Sequence, residues 1–170
     1  TLHLVATLIN DPSKRVALQA TLSLGEFKEE LVTQALADAL KIHGQNEWFR
    51  SAVLSSNQGS SAEILKYLIK DDSFFNQEDA WKLSFIQDLS NVIGARYDTV
   101  QFIDYLSLLS GKALLGTNIQ TAALKGLKKG LNKNEATQAL STQLNVGTAD
   151  EVKAGFNLLR NYLKPGSGIR

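Results

Sequence analysis

The chain contains no cysteine. That excludes disulfides, iron–sulfur clusters, thiolate zinc sites, cysteine nucleophiles and the Cys-x-x-Cys-His attachment of a c-type haem. Methionine is absent as well, and proline occurs only at 12 and 165. Between those positions no residue interrupts a helix by lacking a backbone N–H. Histidine is scarce: His3 and His43 stand in neither the H-E-x-x-H nor the H-x-H spacing that brings two imidazoles to one metal. Apolar runs fall far short of the roughly 18 residues that cross a bilayer, so no direct membrane insertion is expected. Charge of one sign is lacking too. The net charge of +1 gives no overall pull toward nucleic acid or anionic lipid. Neither glycine-rich phosphate loop, G-x-x-x-x-G-K-[ST] or G-x-G-x-x-G, is present, nor is the G-x-S-x-G nucleophile elbow.

What is there is helical. Leu31, Val32, Ala35, Leu36, Ala39 and Leu40 form one stripe at helical spacing, and Ile64, Leu65, Leu68 and Ile69 repeat it. Val152, Phe156, Leu159 and Leu163 follow at i, i+4, i+7 and i+11. Helix starts recur as well. Asp11-Pro12 sets an acceptor before a proline suited to the first helical position. Ser60 with Glu63, Thr117 with Gln120 and Thr148 with Glu151 have capping-box spacing, and Asn46, Asn76 and Asp98 are further cap candidates. The pattern predicts helices at 13–24, 28–43, 46–57, 61–70, 77–93, 99–109, 117–130, 134–144 and 148–163, with 2–9 as the tail of an earlier one. Ala20, Leu22, Leu24, Leu36, Leu40, Ala52, Leu65, Leu68, Leu89, Ile93, Phe156 and Leu159 are the expected core.

Gly25, Gly59, Gly94 and Gly130 lie 34, 35 and 36 residues apart, and each is expected to close a helix. A helix–break–helix unit repeating at about 35 residues predicts an all-α chain, an α-solenoid of stacked antiparallel hairpins, because one such hairpin cannot bury its apolar face alone. An irregular bundle with coincidental glycines is the other reading. Residues 1–164 are expected to form a single helical-repeat domain, a segment of a longer chain. Residues 165–170, with Pro165, Gly166, Ser167 and Gly168, are expected to be a linker or tail.

Two stretches resemble the HEAT repeat, an Asp-Pro turn followed by a helix with Val-Arg and then alanines. The first is Asp11-Pro12-Ser13-Lys14-Arg15-Val16, continuing to Ala20, Leu22, Leu24 and Gly25; its basic residue precedes the valine. The second is Asn46-Glu47-Trp48-Phe49-Arg50-Ser51-Ala52-Val53-Leu54-Ser55-Ser56, with Asn for Asp and no proline. Together with Ala35-Leu36-Ala37 and Val-Ile-Gly-Ala at 92–95, they make roughly 1–130 similar to the helical region of large bacterial membrane-bound dehydrogenase-type proteins of Planctomycetes and Bacteroidetes. In those, a β-propeller precedes the helical repeats and a c-type haem domain follows. The resemblance covers scaffold positions only. It implies a HEAT-like, armadillo-type scaffold in a periplasmic or secreted redox protein whose chemistry lies in the other domains.

The candidate chemistry is sparse. Glu26, Glu29 and Glu30 stand near a predicted helix start, where negative charge is favourable. Asp71, Asp72, Glu78 and Asp79 cluster without the D-x-D-x-D-G pattern of a calcium loop. The polar break at 55–61 reads as a loop, and His3 and His43 as capping or solvated groups. Trp48 and Trp81, 33 residues apart, read as core packing between hairpins, or else as an aromatic ligand platform. No acid occurs between Asp104 and Glu135, yet Lys112, Lys125, Lys128, Lys129 and Lys133 do. Lys125, Lys128, Lys129 and Lys133 are the candidate interaction surface, with Lys125, Lys128 and Lys129 expected to be exposed. The same lysines also suit a solvated face near a helix C-terminus. The reading is a non-catalytic interaction module without a cofactor, serving a protein partner or neighbouring domains of the same polypeptide, with no nucleic acid expected. The alternative is a HEAT-like nucleic-acid-binding enzyme of the alkylpurine DNA glycosylase type, which needs a basic cleft around a flipped base.

Overall fold

Helix is what this sequence forms almost throughout. A computed structural model describes residues 1–57, 59–110 and 116–164. Among the described residues there are ten α-helices, two short 3-10 turns and no strand. The helices are α1 Leu2–Thr7, α2 Lys14–Ser23, α3 Glu30–His43, α4 Glu47–Ser56 and α5 Ser61–Lys70. They continue with α6 Ala80–Arg96, α7 Thr99–Ser110, α8 Thr117–Leu131, α9 Gln138–Thr142 and α10 Ala149–Leu163. The all-α expectation holds, and most helix boundaries lie within three residues of those predicted. The expected tail at 165–170 and Lys112 lie outside the described residues.

Three of the predicted caps form. Asn46 Oδ1 accepts from the Trp48 N–H at 2.9 Å, and Asp98 Oδ1 from that of Gln101 at 3.1 Å. Thr148 and Glu151 make the full reciprocal box. The others do not. Asp11 Oδ1 takes the Ser13 N–H at 2.8 Å, a turn that delays α2 to Lys14 and leaves Pro12 before the helix. The Ser60 hydroxyl donates to Asn57 Oδ1 at 2.9 Å instead of capping α5. Thr117 is already helical behind Gly116, and α6 starts after Asp79, three residues beyond Asn76. The predicted helix 134–144 shrinks to α9. There Asn134 Oδ1 takes the Ala136 N–H at 3.0 Å and the Thr137 hydroxyl donates to the Leu131 carbonyl at 2.7 Å, local bonds that compete with the helical ladder.

The chain divides into two compact units, Thr1–Gln77 and Glu78–Arg170. In the first, α2 packs on α4, α3 on α5 and α3 against α4, while α1 and the turn after it lie on α2 and α3. Leu24, Leu36, Leu40, Val53, Ile64, Leu65 and Leu68 are wholly buried here. The Ser56 hydroxyl reaches the carbonyls of Thr21 and Leu22 at 3.2 and 3.3 Å, and Gly25 packs so closely that a Cβ would lie 3.0 Å from Ser56 Cα. His43 is more than a solvated end group. Its Nε2 bonds the Ile9 carbonyl at 2.8 Å and its ring stacks on Phe49 at 4.2 Å.

In the second unit α6 packs along α8, α7 and α8 on α10, and α9 on α8. Glycine governs the α6–α8 contact. A Cβ on Gly94 would lie 2.6 Å from the Leu127 carbonyl oxygen. Cβ atoms on Gly126 and Gly130 would collide with the carbonyl oxygens of Gln87 and Asn91. Gly94 and Gly130 therefore do not close helices; they lie inside α6 and α8 and let two backbones touch. Gly59, with φ 96° in the α4–α5 loop, does occupy the left-handed region, and Gly25 sits in a 3-10 turn. Tyr97, with φ 47°, ends α6. Nearby, the buried Tyr105 and Ser90 hydroxyls meet at 2.7 Å.

Eleven of the twelve expected core residues are buried. Leu22 is the exception at 43% exposure, because α2 turns its Ala17, Ala20 and Thr21 inward. Trp48, expected in the core, is 67% exposed: Phe49, Ala52 and Val53 claim the inner face of α4. Trp81 is only half-buried.

Two measurements test this packing. Gly126→Ala should destabilise the chain by roughly 1–3 kcal/mol in denaturant melts, although alanine favours helix, because the added carbon meets backbone that cannot step aside. A neutral or stabilising result would remove the close approach. The second concerns pH. Burial first, then Tyr162, pushes the Tyr97 phenol up to about 12 from its usual 10.0. Burial likewise holds Tyr105 protonated, well above the usual range. The unfolded phenols ionise first, so the stability these groups contribute is complete below pH 10 and is lost as pH rises through the folded values. Tyr97→Phe should flatten that decline toward pH 12, read by thermal melts across the alkaline range.

Candidate interaction surface

Helix α8 is buried on most of its circumference. Ile119, Ala122, Ala123, Leu124, Gly126, Leu127, Gly130 and Leu131 all face neighbours. One narrow strip stays outside, and Lys125 and Lys129 lie on it. Lys133 follows one turn later, its N–H still bonded to the Gly130 carbonyl at 3.0 Å, and it too is exposed. The exposed lysines thus follow one another along α8 and into the turn that ends it. Among the described residues their side chains have no hydrogen-bond or ion-pair partner, whereas Lys41 meets Asp71 at 3.5 Å and Lys82 meets Asp79 at 3.2 Å.

The fourth predicted member does not belong to this line. Lys128 is partly buried, and its Nζ donates to the Leu144 carbonyl at 2.5 Å. The Ser141 hydroxyl returns a bond to the Lys128 carbonyl at 3.0 Å, so this lysine fastens the segment after α9 to α8. An i, i+3, i+4 pattern places Lys128 beside Lys125 and Lys129 on a helical wheel. Only the packed neighbour, which the wheel does not contain, shows that Lys128 faces a carbonyl rather than solvent.

The other candidates separate in the same way. Asp71 is held below the usual carboxylate range, first by the hydroxyl and N–H of Ser73 and less by Lys41. Asp79 pairs with Lys82, and Glu78 accepts from Asn118 Nδ2 at 2.7 Å. His3 borders an open groove of about 450 Å³ with Asp38, Lys41 and Ile42. In the break at 55–61, Asn57 bridges to Ser61 and Ser60, local bonds that close the loop; Gln58 lies outside the described residues. Among the described residues no three His, Asp or Glu side chains converge as a metal would require.

One group escaped the sequence. Because α3 packs on α5, Glu63 joins Glu29 and Glu30 at a groove of about 450 Å³ also bordered by Phe27, Val32 and Thr33. The Tyr67 hydroxyl donates to Glu30 Oε1 at 3.1 Å, which raises the phenol's pKa. In the sequence Glu29 and Glu30 stand out as a helix-start pair and Glu63 as a capping-box residue, each read as local.

Comparison with known proteins finds no matching family model, no matching curated protein and no matching solved structure.

Lys128 and Lys129 should respond oppositely to truncation. Lys128→Ala removes a charge-assisted bond to a partly buried carbonyl and should cost about 1 kcal/mol or more. Lys129→Ala should stay within about 0.5 kcal/mol of the parent. Urea melts of both variants decide it; equal effects would return Lys128 to the solvent-facing line.

Proposed function

We propose that the chain is a non-catalytic scaffold, a HEAT-like α-solenoid segment of antiparallel hairpins stacked at about 35 residues. Its Lys125–Lys129–Lys133 line meets an acidic protein partner or a neighbouring domain of the same polypeptide. The observation that carries this reading is the packing order. In the first unit α2 lies on α4 and α3 on α5; in the second α6 lies on α8 and α7 on α10. For α2, α3 and α6 the partner is the helix two places on, the offset that stacked hairpins produce, and α7 passes over the short α9 to reach α10. Two hydrogen bonds carry the same offset, Ser56 to Thr21 across 35 residues and His43 to Ile9 across 34. The four glycines lend it nothing, since two of them serve the α6–α8 contact.

The resemblance to membrane-bound dehydrogenase-type proteins extends the proposal. The module would hold a propeller and a c-type haem domain in one periplasmic or secreted bacterial protein, with the redox chemistry in those domains. Its unpaired lysines suit an acidic face on such a neighbour.

The lysine line is tested by titrating the chain with poly-glutamate at low ionic strength, followed by calorimetry. The triple variant Lys125→Glu, Lys129→Glu, Lys133→Glu should bind about tenfold more weakly or worse, because it reverses the charge along the whole line. Lys14→Glu, on α2, should bind like the parent. Equal affinity of the triple variant, or release of bases from alkylated DNA by the parent chain, would contradict the proposal.

A further inference from the structure

We propose that the groove between α7 and α10 binds a medium-chain aliphatic carboxylate, a fatty-acid anion whose chain lies on the groove floor and whose carboxylate meets Arg160 and Lys164. The groove lies wholly within the second unit and shares no residue with the lysine strip of α8.

The groove has a volume of about 280 Å³. Ile103 and Leu106 of α7 and Leu163 of α10 give it an apolar floor, and Ile103 is 41% exposed there. Arg160, on α10, and Lys164, which caps that helix one turn later, border the same groove. Both are exposed, and among the described residues neither side chain has a hydrogen-bond or ion-pair partner. No acid lines the groove. The Ser107 hydroxyl already donates to the Ile103 carbonyl at 2.9 Å, so the two cations are left to recognise a head group.

That combination selects one class of ligand. An alkyl chain on Ile103, Leu106 and Leu163 withdraws apolar surface from water on both sides. A carboxylate at the rim accepts from the planar fork of Arg160 and from the Lys164 ammonium, bonds stronger than neutral ones. A cationic amphiphile meets two like charges and no acid. The apolar face of another hairpin would cover the floor but press both cations against carbon, where an unpaired charge is costly. The volume lies just under the range of about 300–1,000 Å³ that holds drug-sized ligands, so a short single chain suits it better than a bulky ring system.

Calorimetric titration of the full chain with sodium decanoate tests this. Binding should saturate at one site. The double variant Arg160→Gln/Lys164→Gln should weaken it about tenfold by removing both charge-assisted contacts. Octanoate should bind at least about fourfold more weakly than decanoate, because methylenes leave the apolar floor. Decyltrimethylammonium, with the same chain and the opposite charge, should not bind at the same concentrations. Lys153→Gln, on α10 outside the groove, should bind decanoate like the parent. Ile103→Asp places a carboxylate on the floor and should abolish binding. Should that variant fail to give a helical circular dichroism spectrum, the double variant decides alone, since both its positions are exposed. A parent chain that ignores decanoate, binding unchanged in the double variant, or decyltrimethylammonium bound as tightly as decanoate would each overturn the proposal. A chain that ignores decanoate but self-associates in sedimentation, reversibly lost in Ile103→Asp, would overturn it in favour of a second copy on the groove.

Discussion

Everything in the second unit depends on two helical backbones being allowed to touch. Gly94 on α6 and Gly126 and Gly130 on α8 present no side chain where the helices cross, so carbonyls of one lie against Cα atoms of the other. Such an approach multiplies small dispersion contacts that a single methyl would abolish. Ser90, also on α6, is small enough to leave room for Tyr105, whose hydroxyl it meets at full burial. With α8 fixed against α6, its Leu124, Leu127 and Leu131 are committed inward, and only the strip carrying Lys125 and Lys129 remains outside. The candidate surface follows from what glycine does on the opposite side of the same helix.

The first unit reaches the same end by a different route. Gly25 admits Ser56, and the Ser56 hydroxyl then satisfies the carbonyls at the end of α2. Acceptors at the end of α2 that would otherwise be orphaned are met from α4. His43 does the equivalent for the turn after α1 through the Ile9 carbonyl. These bonds span 35 and 34 residues, so they tie together elements that are not sequence neighbours. The stacking order behind the proposed solenoid has that physical basis.

Much of this architecture was legible in the amino-acid order, because helical periodicity and caps are local. Asn46, Asp98 and the Thr148–Glu151 box needed only their own few neighbours to be read. What could not be read depends on partners remote in sequence. Gly94 and Gly130 have the composition of helix ends but serve a helix crossing. Leu22 and Trp48 are apolar yet point outward, since neighbouring residues on α2 and α4 fill the inward arc first. The interaction surface was likewise partly visible. Lys125, Lys129 and Lys133 stood out as a charge run, but Lys128 could be separated from them only once the Leu144 carbonyl was in place. The acidic groove was invisible because Glu63 meets Glu29 and Glu30 only through the packing of α3 on α5.

The second unit is held together above all by α6 against α8, two places apart in sequence, rather than by α6 against its neighbour α7. Native-state amide hydrogen exchange tests it most directly, because helices that open together exchange with one free energy. Ala80–Arg96 and Thr117–Leu131 should exchange as a single unit, among the slowest amides of the chain, with Gln138–Thr142 opening earlier. Separate opening energies for Ala80–Arg96 and Thr117–Leu131, with either one exchanging alongside its sequence neighbour Thr99–Ser110 instead, would contradict it.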